Sequence, residues 1–255
     1  MSVTQDILLI DVGNTNIKWA WMSLPDRVLE IHSTSHRDIS VEELGAGFQQ
    51  RGAAPSRVLI ANVAGKELER GLSGWINTSW GLHPEIIVPQ AKAFGVILAY
   101  RQPQQLGVDR WLTLIAAHRV NGCPVCVVDS GTAITVDVVD STGRHLGGLI
   151  LPGSDLMRKA LLSGTRIPTA EPPVTIDLLG EDTASCIASA SLHATGALVD
   201  RVVVHTRSMI GVTPKLIFTG SGAPLLMSAV EHPGELVPDL VMQGLKQVAE
   251  EGELS

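Results

Sequence analysis

Two segments of the 255-residue chain share one pattern: an apolar run ends in an aspartate, and a glycine turn, a threonine and a second alternating run follow. The first segment is residues 8–18 (LLIDVGNTNIK) and the second is residues 126–135 (CVVDSGTAIT). Apolar runs on either side of a glycine turn indicate a strand, a tight turn and a returning strand. Two copies about half a chain apart predict an α/β protein made of two duplicated halves that face each other across a cleft.

The remaining periodicity supports this division, because strands precede helices twice along the chain. In the first half we predict two strands within 7–22, strands at 56–64 and 84–88, and helices at 66–80 and 109–120, with a loop at 95–107. In the second half we predict strands at 126–130, 133–139 and 215–223, a Gly-rich segment at 147–153 and a loop at 164–180. We also predict helices at 154–163 and 238–251, and one long helix or two helices within 183–211. The predicted halves are residues 1–115 and 116–255.

Composition limits the possible partners. The net charge is −7 and the pI is about 5.6, and neither value favours nucleic acid or an anionic membrane surface. Residues 1–6 contain no basic group, and no apolar run approaches the roughly 18 residues that span a membrane. We therefore expect a cytoplasmic protein that has no nucleic-acid or membrane partner.

The spacing of Cys123 and Cys126 is that of a redox motif. A thioredoxin-type pair lies at a helix N-terminus, where the dipole lowers the thiol pKa, but this pair enters a predicted strand. A zinc site would require two further ligands, and the sequence has no second cysteine pair. We therefore expect structural cysteines.

The two aspartate turns are the strongest chemical signal, because the sequence has no P-loop, dinucleotide-binding, nucleophile-elbow or H-E-x-x-H motif. Backbone N–H groups beside Gly13 and Gly131 can cradle phosphate, since glycine allows close approach. Asp11 and Asp129 can hold a metal ion or its waters, and Lys18 can reach a phosphate. One such turn alone is more often an ordinary hairpin, but two copies at matching strand ends favour phosphate binding.

A third segment, residues 107–110, places Asp109 and Arg110 at the start of a predicted helix. Asp109 can be a plain helix cap, with Arg110 a solvated charge. Alternatively, Asp109 is a general base and Arg110 binds a substrate carboxylate through its planar guanidinium. The pattern alone leaves both interpretations open.

Taken in order, these segments resemble the type III pantothenate kinases, a branch of the acetate kinase, sugar kinase, heat-shock protein and actin superfamily. The resemblance spans nearly the whole chain. It rests on the motifs D-x-G-N-T at 11–15, Y-x-x-P-x-x-L-G-x-D-R at 100–110, D-x-G-T-A at 129–133, G-G to P-G at 147–153, the helix region 183–200 and the tail 238–245. The chain departs from the family pattern at Ser130, Ala190, Ala194 and residues 220–222.

The resemblance implies two actin-like (ribonuclease H-like) halves, a homodimer, and ATP-dependent phosphorylation of pantothenate, the first committed step toward coenzyme A. It implies Mg²⁺ and a monovalent cation, K⁺ or NH₄⁺. It assigns Asp109 as the proton acceptor for the substrate hydroxyl and Asp129 as the monovalent-cation ligand. The implied pantothenate site contains Tyr100, Gly107, Val108, Asp109, Arg110 and, from the neighbouring subunit, Thr183. The implied ATP site contains Asp11, Gly13, Asn14, Thr15, Asn16, Lys18 and Thr132.

Two alternatives remain at this point. Another small-molecule kinase of the superfamily would share both turns, but it has no reason to carry Tyr100 with the segment 107–110. A non-catalytic regulatory relative would be free to lose Asp109 or Asp129, and this chain keeps both.

Overall fold

A computed structural model describes residues 6–23, 29–35, 39–168, 173 and 176–251. Residues 1–5, and residues 169–172 and 174–175 of the predicted loop 164–180, lie outside the described residues. The described chain divides into two units: residues 6–94, 100–116 and 240–251 belong to the first, and residues 95–99 and 117–239 belong to the second.

The first unit is built on a five-stranded sheet with the order β3-β2-β1-β4-β5. Its strands are β1 (Asp6–Val12), β2 (Asn16–Ser23), β3 (Leu29–Ser35), β4 (Arg57–Asn62) and β5 (Glu85–Ile86). β2 is antiparallel to both β1 and β3, whereas β4 is parallel to both β1 and β5. The helices α1 (Val41–Phe48) and α2 (Lys66–Trp80) and the first part of α3 (Val108–Asn121) also belong to this unit. Two short strands, β6 (Lys92–Ala93) and β7 (Val96–Ile97), lie between β5 and α3 in the chain, and β7 belongs to the second unit.

The second unit repeats the same strand order, β10-β9-β8-β11-β12. Its strands are β8 (Val125–Ser130), β9 (Ala133–Val139), β10 (His145–Pro152), β11 (Lys215–Thr219) and β12 (Gly234–Leu236), and its helices are α4 (Ser154–Gly164), α5 (Thr183–Ile210) and α6 (Ala223–Met227). The pattern is again two antiparallel pairings followed by two parallel pairings. The predicted duplication of an α/β half is therefore confirmed at the level of topology.

The two strands that carry the aspartate turns are buried on both faces. In β1, residues 7–10 are fully buried, and in β8, residues 125–128 are at most 2% exposed. On one face, β1 packs with Leu44 of α1 and Leu72 of α2. β8 packs in the same way with Val199 of α5 and Leu226 of α6. A continuous apolar run is the expected sequence of such a strand, and burial fixes the position at which each run meets its turn.

Some elements differ from the sequence-based prediction. The Gly-rich segment 147–153 lies largely in β10, because its backbone pairs with β9 from Ala133 to Val138 despite the weak strand propensity of glycine. The predicted loop 95–107 contains β7 and a 3₁₀ turn at Pro103–Gln105. The periodicity did not reveal β3 and α1, although a capping box between Ser40 and Glu43 marks the start of α1.

The closing helix α7 (Leu240–Glu251) belongs to the first unit, whereas the division at residue 115 placed it in the second half. Its buried residues include Leu245 and Ala249, and the carbonyl oxygen of Ala249 accepts a hydrogen bond from Arg57 of β4 (3.2 Å). A side chain at Gly244 would collide with the backbone of Leu112 in α3. The helix thus packs into the first unit through contacts with residues far earlier in the chain.

Among the described residues, α5 is the one helix whose length and composition would allow it to cross a membrane, with 39% of the apolar window buried. Leu192, Val199 and Val203 of this helix belong to the buried core of the second unit. Core helices of water-soluble proteins pass the same test, so the observation is weak evidence for a membrane.

Candidate phosphate and substrate sites

The first turn joins β1 and β2 in the first unit. The N–H of Gly13 donates to the carbonyl oxygen of Asn16 (3.0 Å), and this bond closes the turn around Asn14 and Thr15. Asn14 and Asn16 are exposed, whereas Asp11 and Lys18 are half-buried and lie opposite each other in the β1–β2 register. The turn thus brings a carboxylate, an ammonium group and exposed amide groups to one end of the sheet.

The second turn joins β8 and β9 in the second unit. The N–H of Gly131 donates to the carbonyl oxygen of Ala133 (3.0 Å), and Thr132 at the tip is exposed. Asp129 lies opposite Thr135, whereas Asp11 lies opposite Lys18, so the second turn is one residue shorter than the first. Its carboxylate is half-buried beside Thr219 of the parallel strand β11.

Three glycines lie against the second turn, and no local pattern in the sequence indicates their close approach. The N–H of Gly153 donates to the carbonyl oxygen of Thr132 (2.9 Å), and the N–H of Gly222 donates to that of Ser130 (2.8 Å). Gly220 has a φ of +88°, and a β-carbon there would lie 2.5 Å from the carbonyl oxygen of Ser130. Side chains at these positions would displace the turn. The glycines therefore allow the neighbouring backbone to pack closely against it.

Two departures from the family pattern, Ser130 and Gly222, are neighbours in space. A β-carbon on Gly222 would lie 2.6 Å from the hydroxyl oxygen of Ser130. Ser130 is 6% exposed, so its side chain fills the space that Gly222 leaves open. The small side chain in the turn and the glycine beside it are therefore mutually dependent.

The segment 100–110 lies wholly in the first unit. Arg110 is 4% exposed, and its Nη1 donates to the hydroxyl oxygen of Tyr100 (3.1 Å), while its guanidinium carbon lies 6.0 Å from the centre of the Tyr100 ring. The interpretation of Arg110 as a solvated charge is therefore wrong. A buried cation held against an aromatic ring is pre-oriented to bind oxygen atoms.

Asp109 is the second residue of α3 and is half-buried. One of its carboxylate oxygens accepts a hydrogen bond from the N–H of Arg110 (2.8 Å). A β-carbon on Gly107 would lie only 3.5 Å from the carboxyl carbon of Asp109, so glycine leaves room for the carboxylate. Asp109 thus lies inside the first turn of the helix, where the positive end of the helix dipole stabilises negative charge, and Val108 before it is buried.

Thr183 is the first residue of α5 in the second unit and is exposed. Asp182 caps this helix, because its carboxylate accepts from the N–H of Ser185 (2.8 Å). That hydrogen bond is the main cause of a lowered pKa for the Asp182 carboxyl group. The start of α5 is therefore a fixed helix end with Thr183 on its surface.

Cys126 lies within β8 and is fully buried. Burial raises the pKa of its thiol to about 12, and the negative charge of Asp137 adds to the effect. A redox-active thiol requires a lowered pKa, so Cys126 is a structural residue, as the sequence predicted.

Two α/β units with one strand order, each carrying an Asp-Gly-Thr turn where a buried strand ends, give this protein the fold of the actin-like ATPases and sugar kinases. The solved structures with the same fold include a Baf family transcriptional activator from Campylobacter jejuni, with a TM-score of 0.59, 22% identity, and coverage of 97% of this chain and 100% of that one. They also include an activator of 2-hydroxyisocaproyl-CoA dehydratase from Clostridium difficile with bound ADPNP, with a TM-score of 0.52, 12% identity, and coverage of 98% and 97%.

Sequence comparison identifies the family within this class. A family model described as type III pantothenate kinase matches residues 7–205. Over 251 residues the chain is 34% identical to a type III pantothenate kinase from Nitrosococcus oceani, covering 96% of this chain and 94% of the relative. It is 36% identical to one from Acidovorax ebreus over 252 residues, with coverage of 95% of each chain. The chain therefore belongs to the type III pantothenate kinase family.

Proposed function

We propose that this protein transfers the γ-phosphoryl group of ATP to the primary hydroxyl of pantothenate, the first step of coenzyme A biosynthesis. One observation carries the proposal for this chain: the half-buried Asp109 lies on a helix end directly beside the buried Arg110, which Tyr100 holds in place. This arrangement supplies a proton acceptor and an oriented cation for a substrate that carries both a hydroxyl and a carboxylate.

Asp109 accepts the hydroxyl proton as the substrate oxygen attacks the γ-phosphorus. The new bond joins that oxygen to phosphorus, the bond from phosphorus to the bridging oxygen breaks, and ADP leaves. The base must lie within about 3 Å of the hydroxyl, and catalysis depends mainly on in-line positioning and charge neutralisation. Arg110 and Tyr100 bind oxygen atoms of pantothenate, Gly107 and Val108 shape the site around Asp109, and Thr183 reaches the pantothenate bound by the neighbouring subunit of a homodimer.

ATP is bound by Asp11, Gly13, Asn14, Thr15, Asn16, Lys18 and Thr132. No group of three His, Cys, Asp or Glu side chains suited to a metal occurs within the described ranges. Mg²⁺ commonly takes one or two carboxylates together with substrate phosphates, and the carboxylate of either turn, Asp11 or Asp129, would supply one. Asp129 would hold a monovalent cation, K⁺ or NH₄⁺, whose charge would offset that of the phosphates. We further propose a cytoplasmic location.

The decisive experiment measures ATP consumption with D-pantothenate, Mg²⁺ and K⁺ for the natural chain and for Asp109→Asn. The substitution preserves shape but removes the proton acceptor, so we expect kcat to fall by about 100-fold or more while ATP binding is retained. Asp155→Asn is the matched control, because Asp155 is likewise the second residue of a helix but is exposed.

Unchanged turnover in Asp109→Asn would remove Asp109 as the base. Absence of turnover in the natural chain, when it is folded and binds ATP, would overturn the proposed substrate. Other hydroxylated substrates would then test the sugar-kinase alternative, and failure with all of them would favour a regulatory role.

A further inference from the structure

Phe94 adopts a backbone conformation that disfavours a bulky side chain. With Gly95 it forms the two-residue turn between β6 and β7, and the two residues have φ values of +51° and +79°. Turns with positive φ at both positions favour Asn-Gly or Asp-Gly, because asparagine and aspartate tolerate the left-handed region. Among the residues that the structure describes, only Phe94 and Asp239 have a positive φ without being glycine. Such a residue persists only where its surroundings hold it, which directs attention to the contacts of the Phe94 ring.

The half-buried Phe94 ring packs on Trp111 of α3. The two rings meet edge-on, with centroids 5.7 Å apart and planes inclined at 71°, and this geometry is favourable for aromatic pairs. Trp111 is 1% exposed, and its indole N–H has no hydrogen-bond acceptor among the described residues. Ring packing rather than a polar contact therefore fixes the orientation of the Trp111 side chain.

Trp111 directly follows Arg110 at the start of α3. The N–H of Trp111 donates to the carbonyl oxygen of Gly107 (3.1 Å), and the hydroxyl of Thr113 donates to the carbonyl oxygen of Arg110 (2.8 Å). These bonds join the backbone on both sides of Arg110 into one hydrogen-bonded turn. Displacement of the Trp111 side chain would therefore move Asp109 and Arg110 with it.

The turn at Phe94 also lies shortly before Tyr100, the partner of Arg110. Nη1 of Arg110 donates to the hydroxyl oxygen of Tyr100 (3.1 Å), and Arg110 is only 4% exposed. The turn thus acts on Tyr100 through the chain and on Arg110 through Trp111. Phe94 itself lies outside the motif at 100–110, so the motif does not account for this second connection.

We propose that Phe94 is a positioning residue for pantothenate. Its ring holds Trp111, and through Trp111 the first turn of α3, so that Arg110 stays oriented against Tyr100 for the substrate carboxylate. Asparagine would suit the turn better than phenylalanine, but it would leave the Trp111 ring without this contact. The role in pantothenate binding rests on the proposed function, whereas the hold on Arg110 does not depend on turnover.

The kinetic test compares Phe94→Asn, which removes the ring and fits the turn, with Phe94→Tyr, which keeps the ring. We expect Phe94→Asn to raise the KM for pantothenate about tenfold while the KM for ATP changes little, because a small misplacement of a substrate contact is costly. Phe94→Tyr should keep the natural KM. Trp80→Leu is the matched control, because the half-buried Trp80 also meets a tryptophan, Trp75, edge-on (5.0 Å, 83°), but it packs against the core of α1 and α2.

A second measurement requires no turnover. Because Arg110 is buried, its side-chain N–H groups should exchange slowly with water, and NMR of the ¹⁵N-labelled chain without substrate measures that rate. Their signals are assigned by their absence in Arg110→Lys. We expect the exchange to be about tenfold faster in Phe94→Asn, since a loosened segment opens more often, and unchanged in Phe94→Tyr and Trp80→Leu.

A raised KM for pantothenate together with faster Arg110 exchange, both in Phe94→Asn alone, would establish the role. An unchanged exchange rate in Phe94→Asn, or an unchanged KM for pantothenate in an active enzyme, would overturn it. Equal effects of Trp80→Leu would also overturn it. If the natural chain does not phosphorylate pantothenate but the exchange rates respond as expected, the proposed substrate is wrong and the positioning of Arg110 by Phe94 stands.

Discussion

The substitution Asp129→Ala tests whether this single carboxylate binds the monovalent cation. The position of Asp129 at the end of β8, beside Thr219 and the close-packed Gly220, leaves it half-buried, and a half-buried carboxylate would interact more strongly with a cation than an exposed one. We expect Asp129→Ala to raise the K⁺ concentration for half-maximal rate by about tenfold or more, since loss of one charge-assisted contact costs about 1.5–3 kcal/mol. The measurement is the initial rate as a function of K⁺ concentration, with Na⁺ added to keep the ionic strength constant. If the natural chain is equally active in Na⁺ alone, the assignment is contradicted.

Asp200 is a carboxylate with a structural role, and it belongs to neither turn. It accepts hydrogen bonds from the N–H groups of Glu231 and His232 (3.0 Å each) and contacts the His232 ring at 2.6 Å. Burial alone would raise the pKa of Asp200, but these hydrogen bonds and the interaction with His232 outweigh burial and lower it. A carboxyl group whose pKa is lowered by folding stabilises the protein above its ordinary pKa of about 3.9 and loses that contribution as the pH falls through the lowered value.

We therefore expect Asp200→Asn to lower the free energy of unfolding at neutral pH by about 2 kcal/mol, because hydrogen bonds to a charged acceptor are weakened. The difference from the natural chain should shrink progressively below about pH 4. Denaturant titrations across the pH range measure this. Glu231→Gln is the control, because only the backbone of Glu231 binds Asp200, and a difference that is constant with pH would refute the explanation.

At the scale of elements, the turn between β9 and β10 is hydrogen-bonded to β7, the strand that precedes the segment 100–110. The N–H of Ile97 in β7 donates to the carbonyl oxygen of Gly143 (2.8 Å). Gly143 has a φ of +84°, and a β-carbon on it would lie 3.0 Å from the carbonyl carbon of Gly95 and 3.2 Å from His118. The chain enters the segment at Tyr100 only three residues after Ile97.

We expect Gly143→Ala to raise the KM for pantothenate about tenfold while the KM for ATP changes little, because displacement of residues 95–99 moves Tyr100 first and misplacement of substrate contacts is costly. Gly211→Ala is the matched control: Gly211 has a similar φ of +77°, but nothing lies within 4 Å of its β-carbon position. Equal effects of the two variants on the KM for pantothenate would show that backbone strain alone is responsible.

At the scale of the whole molecule, all five tryptophans (Trp19, Trp21, Trp75, Trp80 and Trp111) lie in the first unit, so tryptophan fluorescence reports on that unit. Leu245 of α7 is fully buried, and truncating a buried leucine to alanine costs about 2–5 kcal/mol. Because α7 packs in the first unit, we expect Leu245→Ala to lower the fluorescence-detected unfolding midpoint more than Leu192→Ala does. Leu192 is the matched residue of the second unit, where it is 4% exposed. A larger fluorescence shift for Leu192→Ala would contradict the placement of the closing helix.

The sequence predicted the strands, turns and helices that are determined by residues near one another in the chain. The residues 7–22 and 126–139 alternate around Asp-Gly turns, and the structure has β1, β2, β8 and β9 there. The helix predicted at residues 66–80 has those same ends, because its apolar face repeats with helical spacing and Gly81 ends it in a left-handed conformation. The motif positions of the candidate sites could also be read from the sequence, since spacing within a turn or a first helical turn depends on neighbouring residues alone.

Only the tertiary structure decided the features that depend on partners distant in the sequence. It made the Gly-rich segment after His145 a strand by pairing it with β9, and it placed α7 in the first unit against β4. It buried Arg110 against Tyr100 and brought Gly222 onto Ser130. The local sequence determines which backbone conformations are low in energy. Burial and close packing select among these conformations, and both depend on residues that the fold brings together. The sequence by itself therefore determined the two turns and the family, and the structure determined what surrounds them.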